Sequence, residues 1–331
     1  MPRQPRDYLL QLSDQERDRL RARIDADYQN ALSDHKKRME RSMRMYRSWR
    51  DRYEPNPLGE ENASNFRVPL TRWYTWTKLA KTMDSLFGED AEVVAIPTGP
   101  SDERNVRKVS RYMSWRVLDS MRLVNPLTTF FFRAILFGRA HAFAPWSEAD
   151  ERCSFTPLWP DDFVVPAEDV DTLHEFSWVL RRYPVTPNEL LIGETEGRYD
   201  SIRDHRDQIL ASALAGDRNT LGQQGDEVKT EKDEAEGVIY QSGLSARERL
   251  QAWSWNGRWR RLKPGVDDAD EFDLDRREEL ESELVVDYLP DVDLIIAVKD
   301  LGELYPGKKR KRPFVETSLC KDGSYWSPGF G

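Results

Sequence analysis

The clearest period in the chain lies near its start. Leu20, Ile24, Tyr28, Leu32, Met39, Met43 and Tyr46, with His35 among them, recur at steps of three and four. That spacing places them on one stripe of a helix. Ser13 and Glu16 form an S-x-x-E capping box that opens it, and Pro55 and Pro57 stop it. The pattern predicts one long helix over 13–53. Its other faces are dense in Arg, Lys, Asp and Glu, so only a narrow side is buried. Such a helix is marginal alone in water and has to lie against the rest of the protein or a neighbouring subunit.

A second helix is predicted over 66–88, ending at Gly88, with Trp73, Trp76, Leu79, Ala80, Met83, Leu86 and Phe87 on its apolar side. Residues 91–97 read as a strand. Ser101 then caps a helix carrying Val106, Val109, Met113, Val117 and Met121 on one face. Asn125 caps a further helix, with Pro126 in its first turn and Gly138 at its end. The most apolar stretch, Phe130 to Trp146, therefore reads as a buried helix from Phe130 to Phe137 followed by a strand over 140–146.

Strands are also expected at 153–159 and 176–183. Thr186 to Glu189 is a second capping box, opening a short helix. Residues 194–236 turn polar with few aromatics and read as a flexible insertion. Asn256-Gly257, flanked by alternating residues, signals a hairpin turn. ELVVDYL and DLIIAVKDL around PDV form a second strand pair, and RPFVETSL a last strand. The acidic run 267–283 reads as a solvated loop or short helix. The expectation is an α+β fold, with long helices packed against a mixed, antiparallel β part. Its divisions are a charged helical arm (1–60), an α/β core (61–193), the polar insertion (194–236) and a β-rich segment (237–331). Trp73, Trp76, Phe130, Phe131, Phe137, Phe143 and Trp146 are the expected packing residues of the core.

Composition narrows the function classes. The 331 residues allow about two domains. Charged residues make up 33%, above the roughly 25% usual for globular chains, so surface is plentiful. A net charge of -9 argues against gripping nucleic acid over the whole surface. Cys153 and Cys320 lie in no metal spacing and read as free, buried thiols of a reducing compartment. No signal peptide is visible. Arg133, Arg139 and His141 interrupt the most apolar stretch, so neither membrane anchor nor membrane partner is expected.

The chemical motifs fail one by one. His141 sits in an apolar setting, but no nucleophile signature accompanies it, and a core histidine is the simpler reading. Gly302 to Lys309 fits G-x-x-x-x-G-K after an apolar strand. However, Lys309 replaces the Ser/Thr, Pro306 lacks an N–H, and Pro313 forbids the helix behind. Pro290-Asp291 with Ala297-Val298-Lys299 imitates a metal nuclease, yet Ala297 stands where an acid must be. Glu227-Val228-Lys229 lies in the polar insertion. No catalytic, cofactor-binding or metal-binding residue is assigned, and no enzyme is expected. Lys308, Lys309, Arg310, Lys311 and Arg312 form the strongest local positive charge, a candidate contact for DNA or for an acidic neighbour. Residues 36–52 are also basic, with Met and aromatic side chains between the charges.

The order of segments carries a resemblance. Asn65-Phe66-Arg67-Val68-Pro69-Leu70 leads into TRWYTWTKLAKTMDSLFGEDAEVVAIPTG. NPLTTFFFRAILFGRAHAFAPW follows, then PLWPDDFVVPAEDVDTLHEFSWVLRRYPVTPNELL and finally RPFVETSLCKDGSYWSPGFG. Over about 61–193 and 284–331 this resembles the N-terminal, wing-containing part of portal proteins of tailed bacteriophages. The resemblance implies a self-assembled, usually dodecameric ring at one capsid vertex, through which double-stranded DNA passes. It also implies docking of a terminase, a head–tail adaptor or connector and the major capsid protein. The location it implies is the virion, with the host cytoplasm during assembly. It implies no catalytic residues and no cofactor. The family's chains are longer, so the stem, clip and crown parts are expected to be missing here. An unrelated virion or scaffold-type interaction protein is the alternative.

Overall fold

The computed structural model describes residues 9–10, 12–50, 69–88, 93, 95–97, 99, 103, 105–147, 152–168, 170–215, 250–261, 280–304 and 312–318. The fold is mixed α+β. The chain divides into two compact units that interleave along the sequence. One comprises Met1–His35, Asp161–Glu168 and Phe176–Arg312. The other comprises Lys36–Pro160, Asp169–Glu175 and Pro313–Gly331. The first long helix, α1 (Asp14–Trp49), contributes residues to both.

The Ser13–Glu16 box closes as expected. Glu16 Oε2 accepts from Ser13 N at 3.0 Å, and Ser13 Oγ accepts from Glu16 N at 3.3 Å. The predicted stripe is the buried one. Leu20, Ile24, Tyr28, His35, Met39, Met43 and Tyr46 are all buried. Within the first unit this stripe meets a five-stranded antiparallel sheet in the order β5-β6-β7-β8-β9. Its strands are β5 (Phe163–Val164), β6 (Trp178–Val185), β7 (Leu250–Arg261), β8 (Leu280–Leu289) and β9 (Leu294–Asp300). Leu20, Ile24, Tyr28 and Ala31 pack on Trp178, Leu180, Trp253, Trp255 and Val286. Full burial of Leu20 and Ile24 contributes roughly 1.5–3 kcal/mol each. The opposite face is covered by α5 (Pro187–Thr195) and α6 (Arg206–Ala215), whose Leu190, Ile209 and Ala213 meet Leu250, Ala252 and Leu289. Strand alternation explains why Trp253 and Ala252 serve opposite cores.

Two expectations in this unit are corrected. Asn256-Gly257 is no turn: both residues lie inside the unbroken β7. Gly257 pairs with Trp178 on one side and Leu284 on the other. Two flanking ladders outweigh the local turn propensity. Gly257 is required for another reason. A Cβ there would lie 2.2 Å from the Trp255 ring, which lies across it. The polar insertion expected from 194 onward is also ordered in its first part. A turn after α5 and then α6 follow, and Ile202, Ile209 and Ala213 are buried. These few apolar positions suffice to pin a segment whose bulk composition is polar. The second predicted pair, β8 with β9, is present, and the Thr186–Glu189 capping box is complete.

The second unit holds α2 (Leu70–Phe87), α3 (Val106–Ser114) with a π-helical turn (Trp115–Ser120), α4 (Val124–Phe137) and β1 (Arg139–Phe143). Strand β1 is the centre of a three-stranded antiparallel sheet between β10 (Phe314–Ser318) and β4 (Thr156–Leu158). A short pair, β2 (Trp146–Ser147) with β3 (Arg152–Cys153), lies beside it in sequence. Gly138 ends α4 with φ 89°, a conformation that favours glycine. Asn125 does not cap α4. The helix begins at Val124, with Leu123 at the cap position and no side-chain cap. Residues 93 and 95–97 form no strand. Their backbone is held instead by helix hydroxyls: Val93 N donates to Ser114 Oγ and Ala95 N to Ser110 Oγ, both at 2.9 Å. Ser101 lies outside the described residues.

The core of this unit is aromatic. Tyr46 meets Trp49 and Trp159, and Trp49 meets Phe132 with ring centroids 5.0 Å apart. The Arg133 guanidinium lies 4.8 Å from the Trp159 ring centroid. Phe130 is buried and packs with Phe131 and Phe155. Phe137 packs at a tilt against Trp159, and Phe143 against Phe314. Trp73, Trp76 and Trp146, expected in this core, are exposed instead.

Candidate functional site

The basic run predicted as a contact surface does not survive at its last residue. Arg312 is 4% exposed. Its Nε donates to Glu283, and its Nη2 donates to Phe176 O at 2.9 Å and Ser177 O at 3.2 Å. The guanidinium ties three distant segments together and offers no charge to a ligand. Lys308, Lys309, Arg310 and Lys311 lie outside the described residues, as do residues 305–309 of the phosphate-loop imitation. Gly302 to Leu304 belong to a short helix, α7 (Leu301–Leu304).

His141 lies at the middle of β1, opposite Glu316 and Leu158, and is 2% exposed. Burial, helped by the positive charges of Arg139 and Arg38, pushes its pKa down to about 3. The imidazole is therefore neutral at ordinary pH and belongs to the interior. Beside it, Glu316 accepts from Arg139 Nη1 at 3.0 Å and from Leu173 N at 3.1 Å. The nuclease imitation is equally structural. Lys299 Nζ lies 3.9 Å from Asp287, and Asp291 accepts from Gln251 N at 3.5 Å. Among the described residues, no three His, Cys, Asp or Glu are placed to hold a metal ion. Cys153 is a free thiol, half-buried rather than buried; burial pushes its pKa up.

Sequence reasoning missed two polar knots in the first unit. His35 Nε2 lies 3.2 Å from Asp161 Oδ1, and Asp161 also pairs with Arg182, whose Nη1 donates to Tyr28 Oη at 3.4 Å. Tyr288 Oη donates to Asp293 Oδ1 at 2.9 Å and faces Asp25 Oδ2 at 3.4 Å, with Arg21 3.0 Å from Asp293. Burial and the Asp293 charge raise the pKa of Asp25. The partners are far apart in sequence, so no local spacing could have signalled them.

The feature that stands out is apolar surface in the second unit. On α2, Leu70 is 64% exposed, Trp73 68%, Trp76 49% and Leu86 46%. Trp73, Trp76, Ala80, Met83 and Phe87 fall at alternating steps of three and four, the spacing of a helix–helix seam. An open groove of about 490 Å³ runs beside that seam, lined by Trp76, Ala80, Met83 and Phe87 of α2 and by Val124 and Thr128 of α4. A second apolar face lies on α3 and its π-helical turn. There Val109 is 45% exposed, Tyr112 56%, Met113 38% and Trp115 50%. Scattered exposed apolar residues are ordinary, but two such concentrations mark interaction surface.

No protein-family model and no curated protein matches this chain.

The arrangement aligns aromatic and aliphatic groups along two exposed helix faces. Periodicity named Trp73, Trp76 and Leu86 of the α2 side, but of the exposed α3 face it named only Val109 and Met113 and not Tyr112 or Trp115. No described helix is long and apolar enough to cross a membrane.

Proposed function

We propose that this chain is a structural component of a tailed-phage portal vertex. In this reading it forms a ring that conducts double-stranded DNA during packaging and ejection. It docks the terminase, a head–tail connector and the major capsid protein, and it resides in the virion. The order of segments from Asn65 to Trp146, continued by 157–193 and 313–331, carries the reading. The mixed α+β fold and the two exposed apolar faces of the second unit support an assembling protein. The acidic balance suits a duct, because a like-charged wall does not hold phosphates.

The exposed faces equally favour a virion or scaffold-type interaction protein without a channel. Negative-stain imaging of the assembled protein, with mass from light scattering, separates the two. Closed rings with a central hole are expected. Solid particles of fixed small size would overturn the portal reading.

A further inference from the structure

We propose that the exposed side of α3 is a binding site for single-stranded nucleic acid. The helix carries Arg107, Lys108 and Arg111 and no acidic residue, in a chain whose net charge is -9. Glu103 and Asp119, the nearest acids in sequence, lie beyond its two ends. Lys108, Arg111, Tyr112 and Trp115 stand at i, i+3, i+4 and i+7, so they share one stripe of the helix. All four are exposed. The two rings lie with centroids 5.9 Å apart, tilted by 42°. Cations and rings thus occupy the same face instead of parting into a charged side and an apolar side.

That mixture has the chemistry of one polymer. A single strand presents a phosphate and an unpaired base face at each nucleotide. Lys and Arg take the first, and aromatic rings stack on the second. In a duplex the base faces are closed to side chains, which leaves Tyr112 and Trp115 nothing to lie on. A protein partner would bury Lys108, a residue type depleted at such contacts. From Lys108 to Trp115 the stripe runs about 10 Å, at about 1.5 Å per residue. That is room for roughly three nucleotides at about 3.4 Å each. The π-helical turn begins at Trp115, the second ring of the stripe. Such turns are rare and concentrate at functional sites. The site does not rest on the portal reading. There a duplex passes without being held; here a few nucleotides are held, and no ring is needed.

Fluorescence anisotropy of a labelled oligothymidylate of about 12 nucleotides tests the site with the whole chain. Binding is expected with a Kd of roughly 1–100 µM near physiological salt. Tyr112→Ala and Trp115→Ala should each weaken it about tenfold, whereas Tyr112→Phe, which keeps the ring, should not. Lys108→Ala with Arg111→Ala should lower the slope of log K against log salt by about 1.4, two phosphates at about 0.7 each. These positions are exposed, and thermal melts check that the variants fold. A wild type that binds no strand would overturn the site, as would binding unchanged in every variant. Equal affinity for a duplex of the same length would mean phosphate contact without stacking and would overturn it too. Equal affinity for labelled polyglutamate would do the same and mark a surface for acidic proteins. The portal reading fails separately. Closed rings that bind no strand keep that reading and remove the site. Solid particles that bind the strand through Tyr112 and Trp115 keep the site and remove the ring.

Discussion

The two units use the same helical code to different ends. In the first, the stripe Leu20-Ile24-Tyr28 is at most 2% exposed because the sheet of Trp253 and Trp255 covers it. In the second, α2 carries an equally regular stripe, yet Trp73 remains 68% exposed. Amphipathic spacing specifies which side of a helix must be covered. It does not specify by what. The first unit answers with its own strands, and the second leaves two apolar sides exposed.

The comparison is sharpest if the openness of the second unit is confined to α2 and α3 and its centre is as sealed as the first. His141 reports on this, with an effect as large as that of a core truncation. Its folded pKa, about 3, lies below the ordinary histidine value near 6.5. The unfolded chain therefore takes up a proton over the range between those values while the folded chain does not. Stability contributed by neutral His141 is intact above about pH 6.5 and declines below it, with a limiting slope of about 1.4 kcal/mol per pH unit. Urea midpoints measured from pH 7 to pH 4 should show that slope, and His141→Leu should flatten it. A wild-type curve with no such slope would mean that the centre of this unit admits water.

Truncating one tryptophan in each unit follows. Trp255→Ala should cost about 3–5 kcal/mol of unfolding free energy. Trp73→Ala should stay within about 0.5 kcal/mol of wild type, as surface changes do. Chemical denaturation of the two proteins checks the pair, and equal losses would erase the distinction. Arg312→Met should cost about 3 kcal/mol, because Glu283 then keeps its charge without its partner. The same measurement decides whether this arginine serves the fold, as its geometry says, or a ligand.

The smallest effect concerns Asp25. Its carboxyl pKa is raised in the folded state, mainly by burial, with Asp293 adding repulsion. The charged form is thus disfavoured by folding. The resulting cost is absent below the ordinary carboxylate range and grows as pH rises through the folded value. Asp25→Asn should therefore stabilise the protein slightly at pH 7 and leave it unchanged near pH 3, as thermal melts at the two values would show.

Much of the fold was legible because it is local. The stripe of α1, both capping boxes, Gly138 and the β8–β9 pair each depend on neighbours a few residues away. The misreadings share the opposite property. Asn256-Gly257 has a strong local preference that pairing with β6 and β8 overrides. Arg312 sits in a run of charge, which by itself says surface. Its partners Glu283 and Phe176 lie 29 and 136 residues away. The candidate surface was half legible: α2 and α3 were placed, but Tyr112 and Trp115 of the α3 face were not named, and Trp73, Trp76 and Trp146 were assigned to the interior. Hydrophobicity alone does not distinguish a core from an interface.

The pairing of β10 with β1 has a consequence for synthesis. Arg139 and Glu316, bonded across that ladder, are 177 residues apart. At roughly 5–20 residues per second, a ribosome spends about 10–35 s between making one strand and making the other. Through that interval the newly made β1 waits with one edge unpaired, while the strands of the other unit emerge. The second unit holds most of the chain before Asp161 and is finished last. Until then its open edge is the part of the nascent chain most in need of a chaperone.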